Sequence, residues 1–293
     1  MTPMQAPFTS IAVFGPGLLG GSIARAIRER MPECDLRLWA RREQPLELAR
    51  QQGICDKTYT DPIVAARGAQ LIILATPIAV FEDLSRRMLP AIDRNAIVTD
   101  VGSVKAYVHR TTGDTLTERG RIFIGSHPMA GTEKQGLEHS DSQLLQGATV
   151  ALTNPHGAAD CMVERLAAFW QALGCSTYLM DPTNHDRTVA RISHIPHILA
   201  ALCARGAITG NVPMTDLQRL AASGFRDTTR VCEGPAGMWA DILWENDVAV
   251  RGALADCIRD LHYLSDLLEN QDRQGVQDWL EEARAARKTV RQS

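Results

Sequence analysis

Gly15-Pro16-Gly17-Leu18-Leu19-Gly20 follows one apolar run, IAVF, and opens another, SIARAIRER. A G-x-G-x-x-G pattern between a strand and a helix, inside a unit of ~30 residues, is the setting in which a chain holds a dinucleotide. Gly15 permits the tight turn and Gly17 lets the backbone approach a pyrophosphate. Gly20 lets the helix pack on the strand, and the helix N–H groups, beginning at Leu18 and Leu19, face the anion. Asp35 lies at the spacing where an acidic ribose ligand is expected, but it precedes the second apolar run instead of closing it. The close of that run is Trp39-Ala40-Arg41-Arg42, a neutral residue followed by two guanidinium groups suited to a 2′-phosphate. NADP is therefore the expected cofactor, with NAD possible. Thr76-Pro77, after the run LIILA, is expected to line the same site.

Three further segments place polar groups where a parallel sheet would present its carboxyl ends: Asp100-Val-Gly-Ser103-Val-Lys105, Gly125-Ser-His127-Pro-Met-Ala-Gly131, and NHDRTVARISHIPH over 184–197. Ligands of open α/β sheets bind outside those ends. An imidazole there suits a general base, because its ordinary pKa of ~6.5 lies close to neutral pH. Lys105 is expected either to meet substrate or cofactor phosphate or to be an ordinary exposed lysine. His194 and His197 lie three apart with no third ligand at a suitable spacing, so no metal is expected. His194 is open between a structural and a pocket role, with Pro196 starting or kinking its helix. His109, His139, His156 and His262 are expected to be solvated.

Taken together, DVGSVK, GSHPMAG with Glu133 after it, HDRTVARISHIPH, GFRDTTR and the Met238-Trp239 pair resemble the prephenate/arogenate dehydrogenase family of tyrosine biosynthesis, in an order that covers the chain from 11 to about 245. The resemblance implies oxidative decarboxylation with hydride transfer to a nicotinamide cofactor. It implies that His127 takes the proton from the substrate's C4 hydroxyl and that Ser103 hydrogen-bonds that hydroxyl and the histidine. It also implies that His197 binds substrate, that Arg230 grips the ring carboxylate, and that Glu133 and Trp239 line the pocket. Arg226 lies four residues before Arg230 in GFRDTTR, and Arg230 is the preferred carboxylate ligand. An imidazole base predicts activity rising with pH through ~6.5. Two alternatives are another two-domain dehydrogenase, of the 3-hydroxyacid dehydrogenase or pyrroline carboxylate reductase type, and a non-catalytic NADP sensor. The former lack the paired GSHPMAG and SHIPH segments. Prephenate and arogenate are not distinguished.

The elements that must carry these residues are legible as short β-branched runs at 11–15, 36–40, 71–75, 96–100 and 122–125, alternating with helix-like segments. The pattern predicts an α/β, Rossmann-type, doubly wound and mostly parallel sheet, with the runs 148–153 and 176–180 extending it. From Asn184 the apolar spacing turns helical, as in Met238, Ile242, Val248, Leu254, Ile258, Leu261, Leu264 and Leu268. The expected division is thus a nucleotide-binding domain over 1–182 and an all-α substrate and dimerisation domain over 183–293. The helices carry more apolar surface than they can cover alone, so a homodimer through them is expected.

Composition narrows the remaining classes. A length of 293 residues suits two domains, and 45% hydrophobic with 22% charged residues is ordinary for a globular chain. A formal charge of −3 provides no broad cationic field for nucleic acid. The seven cysteines are scattered and read as reduced core thiols. The stretch MTPMQAPFTS has no signal-peptide pattern, and no run reaches the ~18 apolar residues of a membrane span, so a cytoplasmic location is expected. The closing DRQGVQDWLEEARAARKTVRQS reads as one amphipathic helix.

Overall fold

A computed structural model describes residues 6–55 and 57–291. The first five residues of the N-terminal stretch and the last two of the segment expected as a closing helix lie outside the described residues. The short β-branched runs form strands that are buried on both faces. In chain order the elements are β1 (Ser10–Phe14), α1 (Leu18–Arg30), β2 (Asp35–Trp39), α2 (Glu43–Gln51), β3 (Lys57–Tyr59), α3 (Pro62–Ala66), β4 (Leu71–Leu74), α4 (Phe81–Met88), β5 (Ile97–Asp100), α5 (Ala106–Val108), α6 (Asp114–Thr117) and β6 (Ile122–Phe123). Strands β1 to β6 make a parallel sheet in the order β3-β2-β1-β4-β5-β6. Successive side chains of a strand point to opposite faces. Accordingly Ile11, Val13, Leu71 and Ile73 join one core with Ile23 and Ile27 of α1, while Ala12, Phe14, Ile72 and Leu74 join another with Leu84 and Met88 of α4. The strand order reverses between β1 and β4, which opens a crevice at their carboxyl ends.

The two later runs do not extend this sheet. With β7 (Gly125–Pro128) they form a separate three-stranded sheet, in which β8 (Thr149–Thr153) runs antiparallel to β7 and parallel to β9 (Ser176–Leu179). The cause lies between β6 and β7. After only two residues of β6 the chain leaves the parallel ladder, and the Ser126 amide donates to the Asp100 carboxylate at 3.1 Å instead of to a strand carbonyl. Helix α7 (Asp160–Ala172) follows β8 and packs Leu166, Phe169 and Trp170 into the first core.

Beyond β9 every described element is a helix: α8 (Pro182–Val189), α9 (Ile195–Thr209), α10 (Met214–Leu220), α11 (Ser223–Thr229), α12 (Ala236–Glu245), α13 (Asp247–Glu269) and α14 (Arg273–Arg291), joined by short 3₁₀ and π turns. Asp181 starts this half. Its carboxylate accepts from the Thr183 and Asn184 amides at 2.9 and 3.0 Å, and Pro182 occupies the first turn. Pro196 likewise sits in the first turn of α9, after a π turn over 190–194. By packing, the chain forms two compact units that meet in sequence between Asn246 and Asp247. Apolar side chains on the helices of both units face outward, among them Leu220 and Trp244 in the first and Val248 and Leu268 in the second.

Candidate active site

The crevice at the carboxyl ends of β1, β2 and β4 is a cavity of about 760 Å³ lined by Gly15, Gly17, Ala40, Arg41, Arg42, Thr76 and Pro77. Its walls follow from the glycines. Gly15 has φ +99°, and a Cβ there would lie 2.7 Å from the Ala75 carbonyl oxygen; a Cβ on Gly20 would lie 2.1 Å from the Gly15 oxygen. Both positions therefore exclude side chains, so that the loop closes and α1 seats on β1. Gly17 has open space where its Cβ would be, as the approach of a phosphate requires. Leu18 begins α1 and Leu19 packs against the first core, so these two and Gly20 shape the loop from behind instead of lining the cavity. Arg41 and Arg42 are exposed and form no hydrogen bond or ion pair with another described residue, whereas Asp35 at the start of β2 is engaged by Arg37 and Lys57. Burial raises the Asp35 carboxyl, and the hydrogen bonds from Lys57 and Arg37 outweigh it to hold the group below its usual range. The cavity volume lies within the ~300–1,000 Å³ of ligand sites, which gives room for a dinucleotide, and two unengaged guanidiniums stand at its rim.

At the end of β5 a buried polar knot joins three chain segments. Lys105 is wholly buried, its ammonium bonded to the Asp100 carboxylate and, at 2.8 Å, to the Ser126 carbonyl oxygen. Asp100 also accepts from the Gly102 amide at 2.9 Å. Lys105 is thus neither a phosphate ligand nor an exposed lysine, and it ties the Ser103 loop to β7. Burial lowers the Lys105 pKa and the Asp100 charge opposes that shift. On β7, the Ser126 hydroxyl meets the Thr99 hydroxyl at 2.7 Å and accepts from the Trp170 indole at 3.1 Å.

His127, next along β7, is buried and shares a 2.9 Å hydrogen bond between its Nδ1 and Nε2 of His185 on α8. The His185 Nδ1 in turn lies 2.7 Å from Oδ1 of Asp186. Asp186 accepts the amides of Lys105 and Ala106 at 2.7 and 2.8 Å, and its backbone oxygen accepts from the Asn246 side chain at 2.9 Å. Ser103 is half-buried in the adjoining loop, and the Nδ1 hydrogen bond of His127 goes to His185 instead of Ser103. Nε2 of His127 forms no hydrogen bond with a described residue. Burial, with the neighbouring His185, Lys105 and His194, pushes the His127 pKa well below that of a free imidazole. The expectation of a titration near ~6.5 is corrected downward accordingly.

His185 and Asp186 were not singled out from the sequence. Their signal is the His-Asp pair at the start of the HDRTVARISH segment, four residues after a capping Asp181. His109 is also corrected. It is buried in a π turn, its Nε2 is 2.7 Å from the Thr153 hydroxyl, and desolvation lowers its pKa to about 3. His156 is only part-exposed, while His139 and His262 are exposed. Cys161 and Cys203 are exposed, so the cysteines are not uniformly core thiols; Cys34 and Cys175 are buried, and desolvation raises each to about 11.

The third group of residues comes from the helical half. His197 stacks on Trp239 with ring centres 3.5 Å apart and planes at 14°, and its buried Nδ1 has no hydrogen-bond partner among the described residues. Desolvation lowers the His197 pKa. His194 is buried, bonds Asn246 at 3.2 Å and is lowered to about 4 by desolvation, which gives it a structural partner. Arg230 bonds Glu133 at 2.9 Å with more than half of its side chain exposed. A backbone hydrogen bond and the Arg230 guanidinium hold the Glu133 carboxyl below its usual range. Arg226 is exposed, and its side chain forms no hydrogen bond or ion pair with a described residue. Among the described residues no cluster of three metal-ligating side chains occurs.

Residues 23–179 match the profile of the prephenate dehydrogenase nucleotide-binding domain, and residues 181–282 that of the prephenate dehydrogenase dimerization domain. The chain belongs to the prephenate dehydrogenase family. Among its family relatives, a cyclohexadienyl dehydrogenase of Zymomonas mobilis is 32% identical over 96% of this chain and 95% of its own length. The crystal structure of Synechocystis arogenate dehydrogenase superposes with a TM-score of 0.82 at 30% identity, covering 96% of this chain and 99% of the other. That of Aquifex aeolicus prephenate dehydrogenase, in complex with hydroxyphenyl propionate and NAD+, gives 0.88 at 27% identity over 96% and 98%. This prephenate dehydrogenase family member is accordingly an oxidoreductase with a nucleotide-binding α/β half and a helical half.

Proposed function

We propose that the chain oxidises and decarboxylates prephenate, arogenate or both, using NADP in preference to NAD. The observation that carries this proposal is His127, an imidazole held neutral by burial, anchored through Nδ1 and unengaged at Nε2, on the strand that follows β6. A nicotinamide cofactor held by Gly15, Gly17 and the Arg41-Arg42 rim supplies the hydride acceptor. As hydride leaves C4 of the substrate, His127 Nε2 takes the proton of the C4 hydroxyl, with Ser103 as that hydroxyl's second partner. The carbonyl so formed draws the electrons of the ring–carboxylate bond into the ring, carbon dioxide leaves, and the ring becomes aromatic. Arg230 binds the ring carboxylate, with Glu133 holding the guanidinium beforehand, while His197 and Trp239 form an aromatic wall with an open Nδ1 acceptor or donor. The hydroxyphenyl propionate and NAD+ bound by the Aquifex aeolicus relative support a phenol-like ligand and a nicotinamide cofactor here.

Replacing Arg230 by alanine is expected to raise the Michaelis constant. Losing one partner of a charged hydrogen-bonded pair typically costs ~2–5 kcal/mol, and the exposure of Arg230 places it toward the low end. Arg226→Ala is expected to have the smaller effect; the reverse order in steady-state kinetics would reassign the carboxylate ligand within GFRDTTR.

The NADP preference rests on Ala40, which is neutral, and on the two unengaged arginines after it. Charge-assisted bonds to a 2′-phosphate contribute roughly 1.5–3 kcal/mol each, so even one predicts about a tenfold preference, reduced by salt at the exposed rim. Catalytic efficiency with each cofactor is the measurement. Ala40→Asp with Arg41→Ser should reverse the ratio, and native preference for NAD would refute the assignment.

The proposal includes a homodimer through the helical half and a cytoplasmic enzyme, with the domain boundary near 182. Supporting the dimer is an apolar groove of about 360 Å³ between α9, α10 and α11, lined by Ile208, Val212, Met214, Leu220 and Phe225. The match of residues 181–282 to a dimerization-domain profile supports a dimer through the helical half. Supporting the location, no described helix is long and apolar enough to cross a membrane.

A further inference from the structure

From His127 a chain of buried groups runs away from the substrate side: the His127 ring, the His185 ring and the Asp186 carboxylate, bonded in series at 2.9 and 2.7 Å. We propose that His185 is a positioning residue that selects the proton-accepting tautomer of His127 and steadies the imidazolium formed during turnover. The proposal rests on the assignment of His127 as the base and deepens it.

The order of donors follows from the far end. A carboxylate only accepts hydrogen bonds. Asp186 is fixed as an acceptor by the amides of Lys105 and Ala106, which approach both of its oxygens. The bond to His185 Nδ1 must therefore be Nδ1–H donating to Oδ1. In the neutral ring Nε2 of His185 then carries the lone pair, and it accepts from Nδ1–H of His127. That leaves the lone pair of His127 on Nε2, the atom that forms no bond with a described residue. After Nε2 has taken the substrate proton, Nδ1–H of the His127 imidazolium still donates to His185, and the Asp186 charge lies one ring beyond. Without His185 the ring of His127 is free to carry its proton on Nε2, the form unable to act as a base.

The arrangement is sequence-local in an economical way. His185 and Asp186 are neighbours on the first turns of α8, whose start is fixed by Pro182 and by the Asp181 cap. Asn246 holds the backbone of the same turn through the Asp186 oxygen. The acceptor chain thus arises from one helix end meeting the start of α5.

The test has two arms. Long-range ¹H–¹⁵N NMR of histidine-labelled native protein, with His127 assigned by comparison with His127→Asn, should show His127 protonated at Nδ1 and bare at Nε2. In kinetics, His185→Phe should lower kcat by about 10²-fold or more with the substrate KM nearly unchanged, as expected when a base is held in the wrong tautomer. His185→Gln, which returns an acceptor near the place of Nε2, should recover at least about tenfold of that loss, a rescue that a purely structural role would not predict. Native His127 protonated at Nε2, or native kcat in His185→Phe, overturns the proposal. Should His185→Phe fail to fold, the spectrum of the native protein still decides. Near-native turnover in His127→Asn would instead defeat the base assignment, and the tautomer measured at His127 is independent of that outcome.

Discussion

Replacing His127 by asparagine lowers the turnover number by about 10²–10⁴-fold, the range lost with a positioned general base, and leaves the fold and the cofactor affinity in place. Asparagine keeps a polar group at the position of Nδ1, so the contact with His185 survives in kind while the acceptor at Nε2 disappears. The cofactor cavity is lined by residues of other loops and should not respond. The pH profile provides a second check. Only neutral imidazole accepts the proton, so activity is present above the pKa of His127 and lost as pH falls through it. Burial holds that pKa well below the ordinary value. The acid limb of kcat/KM should accordingly lie below ~6.5, and the rate should change little between neutral and mildly alkaline pH. A limb centred above ~6.5 that belongs to His127 would show that the ring is not desolvated as the structure places it.

Replacing Lys105 by alanine destabilises the fold by about 3–5 kcal/mol, because breaking a buried ion pair leaves an uncompensated charge inside. Against a total stability of ~5–15 kcal/mol this is a large fraction. Both side chains of the pair are fully buried, and among the described residues Asp100 would retain only the Gly102 and Ser126 amides as donors. Denaturant unfolding should show a lower midpoint with an unchanged slope. Removing both charges, as in Lys105→Met with Asp100→Leu, should cost less than the sum of the two single replacements, since no unpaired ion remains. A loss below ~1 kcal/mol in Lys105→Ala would mean that water reaches Asp100. Because Lys105 also carries the amide that fixes Asp186, and its ammonium holds the Ser126 carbonyl beside His127, the variant should lose activity even where it remains folded.

The parallel sheet was legible because its strands are short, β-branched and separated by helix-like stretches, and the glycine loop because each glycine answers a distinct steric demand. Arg41 and Arg42 were legible as cavity-lining residues for the same local reason: they close a strand that reads plainly. What failed to show was whatever depends on contacts between distant segments. The runs at 148–153 and 176–180 look like any other strands of the first sheet, and only the Asp100–Ser126 bond, spanning 26 residues, explains why they pair with β7 instead. Lys105 resembles an exposed lysine until Asp100 and the Ser126 carbonyl close around it. His109 has the neighbours of a solvated residue in sequence, yet a π turn aims it at Thr153 on β8. The His185–Asp186 pair stood within a segment already singled out, but its role depends on where α8 meets the start of α5, which no local periodicity encodes.

The most direct test of the account is a steady-state assay of the purified chain with prephenate and with arogenate, each offered NADP and NAD, following reduced nicotinamide by absorbance and released carbon dioxide in parallel. The account predicts that at least one of the two substrates gives reduced cofactor and carbon dioxide in equal amounts, faster with NADP, and that His127→Asn lowers both signals together by the same factor. Reduction of neither cofactor with either substrate, or reduced cofactor formed without carbon dioxide, would contradict it.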